Sequence, residues 1–214
     1  MQRPALEAAD CLQATSEVEC EDMRKLGLNA PIAVIPHGVT IPAPQTASPN
    51  DSKTVLYLGR LHPEKGLSTL LYAWRDVEAS LPDWSLRIVG PDPVGYRAQL
   101  KALSQQLQIQ RVKYDAAVYG AENRQVLQEA ALLVLPSPSE NFGMVVGEAL
   151  SCGTPVIATN GTPWAELKMR RAGWYCGTDA SSIADALRSA TSTHFKERQE
   201  MGERGREWMR MNYG

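Results

Sequence analysis

The stretch 132–153, LLVLPSPSENFGMVVGEALSCG, decides how the rest of the chain is read. It opens on an apolar run, 132–135, of the length of a buried strand and far too short to cross a bilayer. Pro136 and Pro138 forbid its continuation and turn the next residues into a polar loop. Val145, Val146, Ala149 and Leu150 then recur at one-turn spacing, which predicts a helix ended by Gly153, with Ser139 or Asn141 as its cap. Glu140 therefore falls on the loop before the helix, and Glu148 falls within it, beside the apolar stripe. The first N–H groups of a helix have no intrahelical partner, so a strand, a loop and a helix in this order make a seat for an anionic or polyhydroxyl ligand. Each glutamate also has a plain structural explanation. A carboxylate near a helix start complements the macrodipole, and one beside an apolar stripe can simply be the wet flank.

Outward from this stretch the same grammar repeats. Strands are expected at 54–58, 86–89, 112–118, 154–158 and 173–175, the last an edge strand. Helices are expected at 67–80, 96–107, 124–130, 164–169, 179–190 and 194–212. Strands alternating with helices imply right-handed crossovers and a parallel sheet covered on both faces, so the fold class is α/β and Rossmann-like. Before it lie a strand within 8–15, a helix capped by Ser16 with Glu19 as a capping box and ended by Gly27, and a strand at 32–35. Residues 40–52, rich in Pro, Ser, Ala and Asn, read as a linker. The expected division is 1–39, the linker 40–52, a Rossmann-like domain over 53–192, and a C-terminal helix over 193–214.

Composition narrows the function. The 214 residues are 43% hydrophobic and 21% charged, enough to bury a full core. A net charge of −2 without a long basic run argues against a nucleic-acid partner. The scattered Cys11, Cys20, Cys152 and Cys176, with His37, His62 and His194 far from one another, make a metal site unexpected. No stretch reads as a signal peptide or a membrane span, and the thiols suit a reducing compartment, so a cytoplasmic location is expected.

In an open parallel sheet, ligands bind beyond the carboxyl ends of the strands. After the strand at 54–58 comes Gly59-Arg60-Leu61-His62-Pro63-Glu64-Lys65-Gly66, with two cations and a helix start that suit a diphosphate; Arg60 and Lys65 could equally be solvated loop charges. The loop is neither a Walker A sequence nor a Gly-x-Gly-x-x-Gly fingerprint, which weakens ATPase and dinucleotide-binding readings. Asp92 is either a turn residue or a hydroxyl ligand. The loop from Tyr119 through Gly120 to Asn123 could frame a flat base, or be a surface turn.

The segment ENFGMVVGEAL resembles the Glu-x7-Glu motif of family 4 retaining glycosyltransferases. Gly59-Arg60 followed by Lys65-Gly66, the Tyr119-Gly120 loop, Pro136-Ser137 before Glu140, and Gly153-Thr154-Pro155-Val156-Ile157 occur in the order found in that family. The resemblance runs from about Ala8 to Tyr213. It implies the C-terminal, donor-binding half of a two-domain GT-B enzyme that transfers a sugar from a nucleoside-diphosphate sugar to a glycan or lipid-linked acceptor. It further implies that Arg60 and Lys65 neutralise the diphosphate and that Glu140 acts at the donor sugar beside Asn141. Amides of Phe142, Gly143 and Met144 would hold its oxygens, Glu148 the ribose, and the Gly120 loop the base. No cofactor or metal is implied.

Family members are usually about twice as long, so the chain is expected to be a piece of a larger enzyme with little transfer activity alone. On this view residues 1–39 are the remnant of an N-terminal acceptor domain and its hinge, with Thr40 where the family usually has Asp. Contact with the acceptor, and any peripheral association with the inner face of a membrane, would then belong to the full-length protein. The helix over 16–26 would lie against the missing domain, and Trp164 either shapes the cleft or packs like Trp74 and Trp84. The competing readings are a stand-alone, non-catalytic nucleotide-sugar-binding or regulatory module and an NAD-type dehydrogenase domain, which lacks its fingerprint here.

Overall fold

A computed structural model describes residues 3–43 and 51–214. The chain begins with a short helix α1 (Arg3–Glu7), a strand β1 (Leu12–Ala14), a helix α2 (Glu17–Lys25) and a strand β2 (Ile32–Val34). β1 and β2 pair in parallel as a two-stranded sheet. The Ser16 side chain caps α2 by accepting from the Glu19 N–H at 3.1 Å. Glu19 does not complete an ordinary capping box: its Oε2 accepts from the N–H and hydroxyl of Thr15, both at 2.6 Å. Of the expected linker 40–52, residues 44–50 lie outside the described residues.

The main domain follows as β3 (Thr54–Leu58), α3 (Leu67–Glu78), β4 (Ser85–Val89), α4 (Tyr96–Gln106), β5 (Val112–Asp115), α5 (Ala121–Glu129), β6 (Leu132–Leu135), α6 (Met144–Ser151), β7 (Val156–Thr159), α7 (Glu166–Met169), β8 (Gly173–Cys176), α8 (Ala180–Ser192) and α9 (Phe195–Asn212). The six strands lie in the order β5-β4-β3-β6-β7-β8, all parallel. Both faces are covered, which is why β6 is apolar at every position and β3 is continuously buried from Val55 to Leu58 rather than alternating. Val55 and Tyr57 point into one layer with Trp74, Ile88 and Leu187, while Leu56 and Leu58 point into the other with Val146, Leu150, Trp164 and Met209. Trp74 and Trp84 are packing residues, 0% and 6% exposed.

The strand order fixes where a ligand can sit. From β3 the chain builds outward through β4 to β5, then returns to place β6 on the other side of β3 and continues to β7 and β8. β3 and β6 are therefore the pair at which the winding reverses, and loops leaving such a pair diverge to open a crevice. The loop after β3 carries Arg60 and Lys65; the loop after β6 carries Glu140. They approach closely at Gly66, where φ is +70° and a Cβ atom would lie 2.1 Å from the Pro136 carbonyl oxygen. Only glycine fits there.

Several sequence expectations are corrected by the fold. Neither Ser139 nor Asn141 caps α6; the cap position is Gly143, at φ +76°, and makes no side-chain cap bond. The strand expected over 112–118 stops at Asp115, and α5 starts at Ala121, so Glu122 and Asn123 belong to its first turn rather than to a loop. A 3-10 turn, Pro63–Lys65, capped by His62, shapes the loop that carries Lys65. Both oxygens of Asp92 accept from the N–H groups of Tyr96 and Arg97, which makes it the anchor of the α4 start.

Candidate functional site

At the divergence of the β3 and β6 loops lies an open cleft of about 510 Å3, lined by Thr15, His37, Lys65 and residues 139–144. Lys65 Nζ lies 2.7 Å from Glu140 Oε1, and the two side chains are 19% and 14% exposed. The Ser137 hydroxyl donates to the same oxygen at 2.7 Å. The Glu140 N–H donates to the Gly161 carbonyl at 2.8 Å. Glu140 is thus fixed through its backbone and one carboxylate oxygen, while Oε2 accepts no hydrogen bond among the described residues. Lys65, an ammonium with three donors, retains capacity for a second anion. Beneath them, buried Tyr57 donates to the Arg60 carbonyl at 2.8 Å. Its burial, and then the Glu140 charge, push the phenol pKa well above its ordinary value, so Tyr57 stays a neutral donor.

The rim of the cleft is the start of α6. The Phe142 ring is buried, packed edge-on against His37, Trp164 and Tyr213. Trp164, 2% exposed, donates from its indole N–H to the Phe142 carbonyl. Trp164 is therefore a packing residue whose polar tip orients the rim. What Phe142 and Gly143 offer a ligand is backbone, since one side chain is buried and the other is absent. Met144, 38% exposed, adds an apolar edge.

The structure brings Lys65, Glu140, Asn141, Phe142, Gly143 and Met144 together in the cleft lining. Arg60, Glu148 and Gly120 stand outside that lining. Arg60 is exposed and takes part in no ion pair among the described residues. Gly120 lies at the exposed start of α5 with φ +58°. Glu148 is half-buried on α6, and burial raises its carboxyl pKa. Asn141, though in the lining, is engaged by the N-terminal segment: its side-chain Nδ2 donates to Glu19 Oε1 at 2.8 Å and its backbone carbonyl accepts from the Ser16 hydroxyl at 3.0 Å. Ser137 and Tyr57 support the site without having been named as site residues, while Trp164, expected either to shape the cleft or to pack, packs beneath its rim. Ser137 alone had a signal, since it sits in the PSPSE loop three residues before Glu140. Among the described residues no group of His, Cys, Asp or Glu could hold a metal ion, and no helix is long and apolar enough to cross a membrane.

Comparison with known proteins places this geometry. Residues 41–208 match the family described as Glycosyl transferases group 1. A Mycobacterium leprae phosphatidyl-myo-inositol mannosyltransferase is 36% identical over 145 residues, 64% of this chain and 37% of the relative. Sucrose-phosphate synthase from Thermosynechococcus elongatus superposes with a TM-score of 0.85 at 26% identity, over 100% of this chain and 56% of that one. Anabaena HepE, in complex with UDP and glucose, superposes with a TM-score of 0.84 at 20% identity, over 99% and 61%, and so shares the fold. Across eight curated relatives the chain spans 36% to 49% of their length. The parallel sheet with its divergent β3 and β6 loops and the match over residues 41–208 lead to one conclusion: this chain belongs to the glycosyl transferases group 1 family.

Proposed function

We propose that the chain is the donor-binding half of a retaining glycosyltransferase that uses a nucleoside-diphosphate sugar. The observation that carries this reading is the half-anchored Glu140: one oxygen is held by Lys65 and Ser137, and the other is free at the cleft. A carboxylate is an acceptor only, so a free oxygen held at a fixed point suits the hydroxyls of a sugar. Lys65 beside it, with the exposed cation Arg60 on the same loop, supplies positive charge for the diphosphate. The leaving group gains negative charge as the glycosidic bond breaks, so these cations and the N–H groups of Phe142, Gly143 and Met144 act most strongly in the transition state. Glu148 takes the ribose hydroxyls, and the Gly120 turn borders the base.

The reading needs no metal, because the cationic loop does the work a divalent ion would do at the diphosphate. The acceptor is a glycan or a lipid-linked sugar, bound by parts of a longer protein. The mannosyltransferase relative, named for phosphatidyl-myo-inositol, favours the lipid-linked choice. Bound UDP in the HepE neighbour puts uridine first among the bases to try.

Calorimetric titration with UDP, GDP, ADP and NAD, each with and without EDTA, tests the proposal. Saturable binding of one nucleoside diphosphate, unchanged by EDTA, is expected. Preference for NAD would overturn the donor reading, and loss of binding in EDTA would overturn metal independence.

A further inference from the structure

We infer that Glu19 is a positioning residue for the rim of the donor cleft, acting through Asn141; the inference rests on the donor-site reading above. Three consecutive rim residues each have a backbone group tied by a residue distant in sequence. The Glu140 N–H is held by Gly161, the Asn141 carbonyl by Ser16, and the Phe142 carbonyl by Trp164. Two of these ties come from the loop between β7 and α7, within the main domain. The third comes from the turn between β1 and α2, more than a hundred residues away in sequence, and Glu19 doubles it by accepting from the Asn141 side chain.

The geometry of Glu19 exceeds what capping α2 requires. An ordinary capping-box glutamate reaches back to the N–H of the cap residue. Glu19 instead gives one oxygen to the Thr15 N–H and hydroxyl and aims the other at Asn141. Thr15 lines the cleft of about 510 Å3. Glu19 lines a second groove of about 360 Å3 along α2, and residues 139–141 line both. Thr15, Glu19 and Asn141 thus form the ridge between the two cavities, and Glu140 faces both. Fixing Asn141 from the side chain as well as the backbone removes freedom from the residue next to Glu140, and a preorganised carboxylate binds at lower entropic cost.

The donor–acceptor polarity of the pair allows a swap test on the 214-residue chain. Asn141→Asp sets two carboxylates against each other. Glu19→Gln leaves an oxygen for Thr15 and, when combined with Asn141→Asp, offers an amide donor to the new carboxylate. Affinity for UDP-glucose, GDP-mannose and ADP-glucose is measured by calorimetry, using whichever the wild type binds, with the melting temperature of every variant. Asn141→Asp alone is expected to weaken binding roughly tenfold or more and Glu19→Gln a few-fold; the double variant returns to within about threefold of wild type. The melting temperatures should not track these changes, because α2 buries none of its residues. Losses that multiply in the double variant would overturn the inference, as would affinities that follow the melting temperature. Wild type that binds none of the three sugars would overturn the donor reading itself, and the inference with it.

Discussion

In the six-stranded sheet every residue of β3 from Val55 to Leu58 is buried, whereas α2 buries none. Both regions follow the strand–helix–strand pattern, and both pair their strands in parallel. They differ in what covers them. A parallel sheet is normally buried on both faces, and the six-stranded one is, with α3 and α8 contributing to one layer and α6 and α9 to the other. The β1–β2 pair has few buried side chains, Leu12 and Ala14 among them, while Val18 on α2 and Leu26 at its C-terminal cap stay 52% and 59% exposed. Its hydrogen bonds to the main domain gather at Asn141, beside the candidate site, and the hinge is held where the Val39 N–H meets the Tyr213 carbonyl at 2.8 Å. The floor of the cleft is therefore rigid by burial, and one wall is held by a few polar contacts. Substitutions in the two regions should separate stability from binding.

The largest expected effect is on the core. Trp74→Ala removes a fully buried indole from the β3–α3 layer and should cost about 3–5 kcal/mol of unfolding free energy, read by urea denaturation. A cost below 1 kcal/mol would mean that this layer is not the packed one. Next comes the cationic loop. Arg60→Ala with Lys65→Ala should reduce nucleoside-diphosphate affinity by about 1.5–3 kcal/mol per lost charge-assisted contact, and unchanged affinity would break the assignment of the phosphate site.

Glu148→Gln should move stability and binding in opposite directions. Burial raises the folded-state pKa of Glu148, so the folded protein holds this proton at pH values where the unfolded chain has lost it. Its contribution to stability is full below the ordinary glutamate pKa and is lost as pH rises through the raised one. At neutral pH the variant should accordingly melt higher than wild type and lose the dependence on pH between those two values. If Glu148 binds ribose, donor affinity should fall by about 1.5–3 kcal/mol at the same time. A variant that gains stability without losing affinity would place the ribose elsewhere. The smallest effect belongs to the exposed helix: Val18→Ala should change stability by no more than about 0.5 kcal/mol.

The sequence reads clearly where burial and spacing coincide. The apolar strands β3, β4, β6 and β7 and helix α3 fall within two or three residues of where periodicity puts them, because each is locally specified by covered faces. The α6 cap did not read, since a glycine at φ +76° carries no side-chain signal and nearby Ser139 and Asn141 compete as plausible caps. The start of α5 was hidden for the same reason, at Gly120. The individual candidates Lys65 and Glu140 were visible from their loops and from the family resemblance, but not the 2.7 Å contact between them. That contact depends on which strands neighbour one another, and strand order is a property of the whole chain. The Glu19–Asn141 contact was further out of reach, because Glu19 had a sufficient local explanation as a capping residue.

The central claim is that donor binding is centred on the loops after β3 and β6. Hydrogen–deuterium exchange of the chain, with and without the nucleoside-diphosphate sugar it binds, tests this most directly. The account predicts slower exchange across 59–66 and 139–146 on binding, with α1 and β2 unchanged. Protection confined to other segments, with these two loops unaffected, would contradict it.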